Sequence, residues 1–505
     1  MATGLNGQTR AGLAVALLVA ALSWALHADT PAQWRESGRA AVEQAKKLQP
    51  ITTQAKNVIL FVGDGMGVTT VTAARILEGQ LRGQSGEENL LSFERFPHTA
   101  LVKTYNTDAQ TPDSAGTMTA MVTGVKTRMG VVSISPTVEF GDARGAQGNE
   151  LTTIVELAEK AGLSTGVVTT TRLTHATPAA CYAHSPDRDW EDDAALAAGA
   201  KETGFVDIAR QLVEFRVGDG LEVALGGGRA NFLPGSLADP EYPDLKGRRS
   251  DGRNLVGEWS AKPEAAYVWN AAQLQAVDPT KTRHLLGLFE PSHMRYQHDR
   301  NKDAAGEPSL SDMTAKAIEL LARNRKGFFL MVEGGRIDHA HHETNAFRAL
   351  TDTIEFARAV SVAQDRTDRR ETLIIVTADH SHVFTMAGYP QRGNPILGKV
   401  AGFDPMTGAH TSTGAKDAKG LPYTTLGYAN GPGYVGGAGR PDLSVIDTTL
   451  PDYHQETSVP LADETHGGED VPLYADGPQA HLFHGVIEQN VIFHVMVEAL
   501  GLIVE

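Results

Sequence analysis

The chain has little cysteine and a deficit of positive charge. Cys181 is the single cysteine in 505 residues, which excludes an intrachain disulfide. Lysine and arginine number 45 against 61 aspartates and glutamates, and the formal net charge of −16 argues against a nucleic-acid-binding surface or an anionic membrane partner. If the substrate is an anion, the protein needs a local positive centre, which bound divalent ions supply.

Long hydrophobic runs are also scarce, and the clearest one lies near the N-terminus. Arg10 precedes the run AGLAVALLVAALSWAL, and small residues lie near Ala25 and Ala28. The run is typical of a secretory signal and is short for a spanning helix, although an uncleaved single-span anchor is the alternative. The C-terminal stretch HVMVEALGLIVE carries two glutamates and predicts no lipid anchor. We therefore expect a signal peptide over residues 1–28, a periplasmic or secreted location and no stable membrane anchor.

Apolar β-branched runs alternate with helical periodicity along residues 29–505, which we interpret as one domain. Helical patterns such as LTTIVELAEKAG, MTAKAIELLARN and FRALTDTIEFARAV lie between runs that are typical of buried strands. The predicted strands are Asn57 to Val62, Ser164 to Thr170, Leu221 to Gly226, Phe328 to Glu333 and Thr372 to Ala378. This alternation predicts an α/β three-layer sandwich, with a central, mostly parallel sheet and helices on both faces.

One long segment departs from the alternation. From about Gly388 to Pro460 the chain is rich in glycine, proline, serine and threonine and has few apolar runs. Such composition indicates irregular structure, and we predict a crown-like insertion over residues 388–460 within the domain.

Acidic residues stand at the ends of three predicted strands. Asp64, Glu333 and Asp379 each lie at or just after the last residue of a buried run. The carboxyl ends of parallel strands meet at one edge of a sheet, where active sites gather. We therefore expect these three carboxylates to lie close together.

The segment VEGGRIDHAHH contains further candidate metal ligands. Asp338 and His342 are four residues apart, so on a helix both project from one face and could share an ion. His341 is three residues from Asp338 and has almost as good a spacing, while His339 has no clear partner. The spacing alone leaves the choice between His341 and His342 open, and a solvated surface remains the alternative for all of them.

Ser114 is the candidate nucleophile. A serine hydroxyl reacts poorly at neutral pH unless a base or a metal removes its proton, and no GxSxG segment is present. Ser114 begins the small-residue helical pattern SAGTMTAMVTG, where it would serve as an ordinary N-cap while the helix amides favour an anion. The glycines around Asp64 are misplaced for a GxGxxG nucleotide-binding turn. Metal activation of the serine is therefore the favoured interpretation.

Taken together, these segments resemble the alkaline phosphatase family. TTTRLTHATPA, YAHSPDRDW, LGGGR, GFFLMVEGGRIDHAHH, VTADHSHVF, NGPGYV and GPQAHLFHGV follow one another in the family's order between about Ala55 and Ala499. The resemblance is stronger to the animal enzymes than to the best-known enteric bacterial enzyme, and the missing cysteines and lipid-anchor tail suit a bacterial, soluble form.

The resemblance implies a phosphomonoester hydrolase with two zinc ions and one magnesium ion per subunit. Ser114 corresponds to the nucleophile, and Arg188 to the arginine that binds the non-bridging phosphate oxygens. The implied ligands are Asp338, His342 and His466 for the first zinc; Asp64, Asp379 and His380 for the second zinc; and Asp64, Thr177 and Glu333 for magnesium, with His175 in its outer shell.

A calcium site of the animal members is also implied. It would use Glu241, the backbone carbonyl of Phe289, Glu290 and, where those enzymes have aspartate, Glu307.

The implied reaction consists of two in-line displacements through a phosphoserine, on small-molecule phosphomonoesters, in a homodimer with an alkaline optimum. The alternatives are another hydrolase of the same superfamily and a non-catalytic phosphate-binding protein. A phosphodiesterase of the same superfamily would usually lack the Arg188 and magnesium set, and a sulfatase would need a CxPxR-type segment, which is absent. A non-catalytic phosphate-binding protein would have lost the nucleophile or a ligand, whereas every catalytic position is intact.

Overall fold

A computed structural model describes residues 30–402, 404, 406–409, 414–434 and 439–504. The predicted signal peptide, residues 1–28, lies outside the described residues. The chain divides into two compact units, residues 1–49 and 50–505. In the first unit, helix Pro31–Ala45 begins with a capping box in which Thr30 accepts from the backbone N–H of Gln33.

The second unit contains the strands and the remaining described helices. The strands are β1 Asn57–Gly63, β2 His98–Lys103, β3 Ser164–Arg172, β4 Val223–Gly227, β5 Ala265–Val268, β6 His284–Leu288, β7 Phe328–Gly334, β8 Thr372–Ala378, β9 Ser381–His382, β10 Phe384–Met386, β11 Leu426–Gly431, β12 Thr457–Pro460, β13 His466–Gly467, β14 Val471–Asp476 and β15 Val486–Glu488. The α-helices are Val68–Leu81, Ser114–Thr123, Ala143–Ala146, Ile154–Ala161, Ala176–Ala179, Ala198–Thr203, Ile208–Glu214, Arg229–Phe232, Leu255–Ser260, Ala271–Ala276, Leu310–Leu321, Arg336–His342, Ala346–Arg366 and Val491–Leu500. Short 3₁₀ helices cover Ser92–Arg95, Arg300–Lys302, Leu443–Val445 and Ala480–Leu482.

A ten-stranded sheet forms the centre of this unit, in the order β15-β2-β14-β8-β1-β7-β3-β4-β6-β5. The seven strands from β8 to β5 in that order are parallel, and β14 pairs antiparallel with both β8 and β2. Every residue of β1, β7 and β8 is buried, as expected for strands covered on both faces. The prediction of a mostly parallel α/β sheet is confirmed.

Two groups of helices pack on this sheet. Val68–Leu81 and Leu310–Leu321 both contact Ala346–Arg366, and Ser114–Thr123, Ile154–Ala161 and Val491–Leu500 form a second contacting group. Members of both groups contact β1 and β7. Because the central strands are buried along their whole length, both faces of the sheet are covered, as predicted for a sheet with helices around it.

The predicted insertion contributes two of the three strands of a small second sheet. β11 and β12 lie within residues 388–460, and β10 directly precedes them; β11 is antiparallel to β10 and parallel to β12. The rest of the described part of residues 388–460 is mostly turns and loops. Within the residues that the structure describes, we find no helix long and apolar enough to cross a membrane.

Candidate active site

The hydroxyl of Ser114 lies at the carboxyl edge of the central sheet. Helix Ser114–Thr123 is capped by Asp113, whose carboxylate accepts from the backbone N–H of Gly116 at 3.1 Å. The expectation that Ser114 itself is the N-cap is therefore wrong. Because Asp113 already accepts from a free N–H at the start of the helix, Ser114 Oγ is not needed as a cap. It lies 3.1 Å from His380 Nε2 and 3.4 Å from Asp64 Oδ1.

The predicted first zinc ligands lie together. Asp338 Oδ1 is 3.3 Å from His342 Nε2 and 3.4 Å from His466 Nε2, and the two imidazole nitrogens are 3.1 Å apart. Asp338 and His342 are both on helix Arg336–His342, whereas His466 is brought in by the β9–β13 ladder. His341 instead contacts Thr70 and Tyr428, so the structure places His342 beside Asp338.

His382 is a member of this cluster that sequence reasoning missed. Its Nε2 lies 2.8 Å from Asp338 Oδ1, and its Nδ1 lies 2.5 Å from Glu464 Oε2. Burial lowers its pKa, but the carboxylates of Glu464 and Asp338 outweigh burial and raise the pKa to about 9. His382 pairs with His466 between the short strands β9 and β13, and this pairing brings it to the cluster. A local sequence pattern does not reveal such a long-range pairing. Through this bridge His382 orients the Asp338 carboxylate.

The predicted second zinc ligands surround the serine. His380 Nε2 is 3.3 Å from both Asp64 Oδ1 and Asp379 Oδ2. The backbone N–H of Gly65 donates to Asp379 Oδ1 at 3.0 Å, which ties the ends of β1 and β8 together. His380 and His466 are stacked with ring centroids 3.6 Å apart, so this cluster adjoins the first one.

The predicted magnesium ligands converge behind Asp64. One oxygen of Glu333 accepts from the hydroxyls of Thr169 and Thr171, while Glu333 Oε1 is buried and has no hydrogen-bond partner. The hydroxyl of Thr177 is likewise buried without a partner. Ligand atoms of Asp64, Glu333 and His175 all lie within 4.8 Å of one another. A cation would satisfy these unpaired oxygens.

Several buried carboxylates oppose one another in this region. Burial, then the charges of Asp379, Asp338 and Glu333, raise the pKa of Asp64 well above its usual range. Burial, with the charge of Asp379 adding to it, raises the pKa of Glu333 to about 7. Asp64 Oδ2 and Asp379 Oδ2 also lack hydrogen-bond partners. Oxygen-rich and imidazole-containing clusters of this kind fit divalent cations, which would remove the repulsion.

Arg188 is held by Asp113, the residue that precedes Ser114. Its Nη1 donates to Asp113 Oδ2 at 3.0 Å, and its Nη2 lies 3.2 Å from His175 Nε2. The side chain is 22% exposed, so part of the guanidinium can reach a ligand. A planar, always charged fork held beside a nucleophile suits the binding of tetrahedral anions.

Of the predicted calcium ligands, Glu241 and Glu290 lie in one group of carboxylates, whereas Glu307 has a different partner. Glu241 Oε1 is buried without a hydrogen-bond partner, and Glu290, which follows Phe289 after β6, shares the hydroxyl of Tyr242 with Asp303. Burial and the neighbouring Asp303 raise the pKa of Glu241 to about 7. Glu307 instead accepts from the backbone N–H of Arg295 at 3.0 Å. The third side-chain carboxylate beside Glu241 and Glu290 is therefore that of Asp303, which sequence analysis did not name.

Comparisons with known proteins agree on one family. The profile of the family described as "Alkaline phosphatase" matches residues 55–502. A tissue-nonspecific alkaline phosphatase of Gallus gallus is 49% identical over 93% of this chain and 89% of its own length. An alkaline phosphatase of Gadus morhua is 48% identical over 93% of this chain and 97% of its own length. The crystal structure of Thermus thermophilus alkaline phosphatase superposes with a TM-score of 0.64 at 25% identity, covering 91% of this chain and 94% of that one.

Proposed function

Because the chain belongs to the alkaline phosphatase family and is a phosphomonoester hydrolase, we propose that it works through a phosphoserine on Ser114. The observation that carries this proposal is the position of Ser114 Oγ, 3.1 Å from His380 Nε2 and 3.4 Å from Asp64 Oδ1, among buried carboxylates that lack cation partners. Family membership implies divalent metals, and the residues present fit them.

We assign the ions to the clusters in the way that the family resemblance implies. Three ligand sets hold two zinc ions and one magnesium ion per subunit. They are Asp338, His342 and His466; Asp64, Asp379 and His380; and Asp64, Thr177 and Glu333, with His175 outside the last. The mixed imidazole and carboxylate sets suit zinc, and the oxygen-only set suits magnesium. When bound, such ions lower the pKa of hydroxyl groups and neutralise developing negative charge.

The chain's own groups then account for both displacements. Ser114 Oγ releases its proton to water and attacks phosphorus, and the bond from phosphorus to the leaving oxygen breaks, so that this oxygen takes up a proton from solvent and departs as the alcohol. A water molecule then attacks the phosphoserine from the opposite side. The Ser114 Oγ–phosphorus bond breaks to release phosphate, and Ser114 Oγ recovers a proton from the attacking water. Arg188 binds the equatorial oxygens in both steps, and Asp113 holds its guanidinium in place.

A direct test combines metal analysis with matched substrates. We expect zinc and magnesium in a ratio of about two to one. We also expect an aryl phosphate monoester to be hydrolysed far faster than the corresponding diester, because the monoester dianion offers one more non-bridging oxygen and one more negative charge to Arg188 and the cations. Faster diester cleavage would favour the phosphodiesterase alternative, and phosphate binding without turnover would favour a binding protein.

Replacing Arg188 by alanine should weaken inhibition by inorganic phosphate and lower kcat/KM. Loss of a bidentate, charge-assisted contact costs roughly 1.5–3 kcal/mol, or about 10- to 150-fold. Arg188→Lys keeps the positive charge but lacks the planar guanidinium that binds two oxygens at once, so it should recover only part of this loss. The measurement is the phosphate inhibition constant beside the steady-state rate, and unchanged inhibition in Arg188→Ala would show that the arginine is structural.

The calcium group is proposed with Asp303 in place of Glu307. Glu241, Glu290, Asp303 and the Phe289 carbonyl are oxygen ligands of the type that calcium prefers, and Arg295 Nε partly balances them at 3.2 Å from Glu290 Oε1. We expect calcium to raise the unfolding temperature of the zinc- and magnesium-saturated enzyme, with activity nearly unchanged. Asp303→Asn and Glu290→Gln should remove this gain, whereas Glu307→Gln should keep it. A gain lost in Glu307→Gln and kept in Asp303→Asn would restore the original assignment.

A homodimer exported by a signal peptide completes the proposal. Its support is the family resemblance and the apolar run after Arg10. Sedimentation of the purified enzyme and N-terminal sequencing of the exported protein test the two parts separately.

A further inference from the structure

A second group of buried carboxylates lies at the edge of the sheet opposite to Ser114. Glu159 is near the end of helix Ile154–Ala161, Asp219 is in the loop between helix Ile208–Glu214 and β4, and Glu222 directly precedes β4. Glu159 is 2% exposed and Glu222 is 7% exposed. These residues adjoin the amino ends of parallel strands, so they are remote from the phosphoryl-transfer site.

The three carboxylates point at one another. One oxygen from each of Glu159, Asp219 and Glu222 lies within 4.8 Å of the others. Carboxylate oxygens this close together can share one divalent cation, and calcium accepts several oxygen ligands in flexible geometry, with water completing its coordination. A set made only of carboxylates therefore suits calcium.

One oxygen of the group is buried and unsatisfied. Glu159 Oε1 accepts from the hydroxyl of Thr165 at 2.5 Å, and Glu222 Oε2 accepts from the backbone N–H of Thr165 at 2.6 Å. Glu159 Oε2 has no hydrogen-bond partner. It lies under the glycine loop, where a Cβ on Gly218, with φ at +60°, would be 2.3 Å from it. Gly218 therefore lets the loop close over this carboxylate, and the backbone N–H of Gly220 in the same loop also stabilises its charged form.

The charges around the group leave a deficit of positive charge. Arg283 contacts Asp219 with a side chain that is 55% exposed. Among the described residues, neither Glu159 nor Glu222 forms an ion pair with lysine or arginine. Burial and the charge of Glu222 raise the pKa of Glu159 to about 8, and burial raises that of Glu222 to about 7. Two buried glutamates thus lack a compensating cation.

Solvent reaches the group through a cavity of about 410 Å³ that is lined by Asp219, Glu222, Glu264 and Arg283, among others. The cavity provides an entry path for an ion and room for the waters that would complete its coordination. We propose that Glu159, Asp219 and Glu222 form a structural calcium site that is separate from the phosphoryl-transfer site. The ion would tie the loop between helix Ile208–Glu214 and β4 to helix Ile154–Ala161.

The test uses the full-length, zinc- and magnesium-saturated enzyme, and it measures bound calcium by equilibrium dialysis and the unfolding temperature with and without calcium. Asp219→Asn changes an exposed loop residue and should fold. Glu159→Gln is the buried counterpart, and Glu264→Gln is the control because it lines the same cavity without belonging to the group.

We expect Asp219→Asn and Glu159→Gln each to bind one calcium ion fewer per chain than the parent enzyme and Glu264→Gln, with kcat/KM unchanged. The loss should persist when Asp303→Asn is already present, which separates this site from the Glu241 group. Calcium content equal to that of the parent in Asp219→Asn would overturn the proposal, and Glu159 and Glu222 would then share a proton instead. Because the readout is calcium binding, the result is independent of whether Ser114 forms a phosphoserine.

Discussion

Replacing Ser114 by alanine is expected to abolish the covalent phosphoenzyme and to lower kcat by about 10³-fold or more, since loss of a nucleophile removes a rate advantage of at least that size. Ser114 Oγ is the hydroxyl that lies between His380 and Asp64, and the helix cap is supplied by Asp113. Removing the hydroxyl therefore leaves the helix end satisfied, and both the fold and the metal content should remain unchanged. Some hydrolysis should persist, because bound ions still activate water.

The measurement is transfer of label from a ³²P-labelled monoester at low pH, followed by quenching and peptide mapping. The parent enzyme and Ser250→Ala, a surface control, should carry label on Ser114. Label on another residue of the parent, or retained in Ser114→Ala, would contradict the assignment. Equal zinc and magnesium contents in all three proteins would show that the effect is chemical and not a loss of ions.

Much of the active site could be predicted from the direction of the strands, because the sequence shows where each strand ends. Asp64 and Asp379 directly follow β1 and β8, Glu333 is the second-last residue of β7, and the three strands are adjacent in the sheet. Any parallel arrangement of these strands brings the three carboxylates to one edge. The order of strands was not required for this prediction, only their direction.

The parts that sequence reasoning missed depend on loops and on long-range pairing. His382 joins Asp338 because β9 pairs with β13, more than eighty residues later, and no local period predicts this pairing. Asp303 lies with Glu290 at the hydroxyl of Tyr242, whereas Glu307 accepts from the backbone N–H of Arg295, and the path of this loop cannot be deduced from residue types alone. The same holds for Glu159 and Glu222, whose approach depends on β3 lying beside β4. The residue types indicated that carboxylates could bind cations, but they did not indicate which carboxylates lie together in the folded chain.

The metal-free enzyme should be inactive and should gain stability from the substitution Asp64→Asn. Asp64 is fully buried beside Asp379, Asp338 and Glu333, and burial together with these charges raises its pKa well above the usual range. For a carboxyl whose pKa is raised on folding, the stability contribution is present at low pH and is lost as pH rises through the pKa of the folded state. Asparagine has nearly the same shape and never ionises, so it avoids this loss.

We therefore expect Asp64→Asn to raise the unfolding temperature of the metal-free enzyme and to lower that of the metal-loaded enzyme. Without metals, the unfolding temperature of Asp64→Asn should exceed that of the parent by a difference that grows as pH rises above about 3.9, the ordinary aspartate pKa, towards the raised pKa of folded Asp64. With zinc and magnesium, Asp64→Asn should be less stable and nearly inactive, because it has lost a ligand charge shared by two of the proposed sites. Asp476→Asn, which lies in an ion pair with Arg369 away from the site, should show neither effect. If the metal-free variant were no more stable than the parent at pH 8, then Asp64 would not be held among uncompensated carboxylates, and the electrostatic argument for cations at this edge of the sheet would fail.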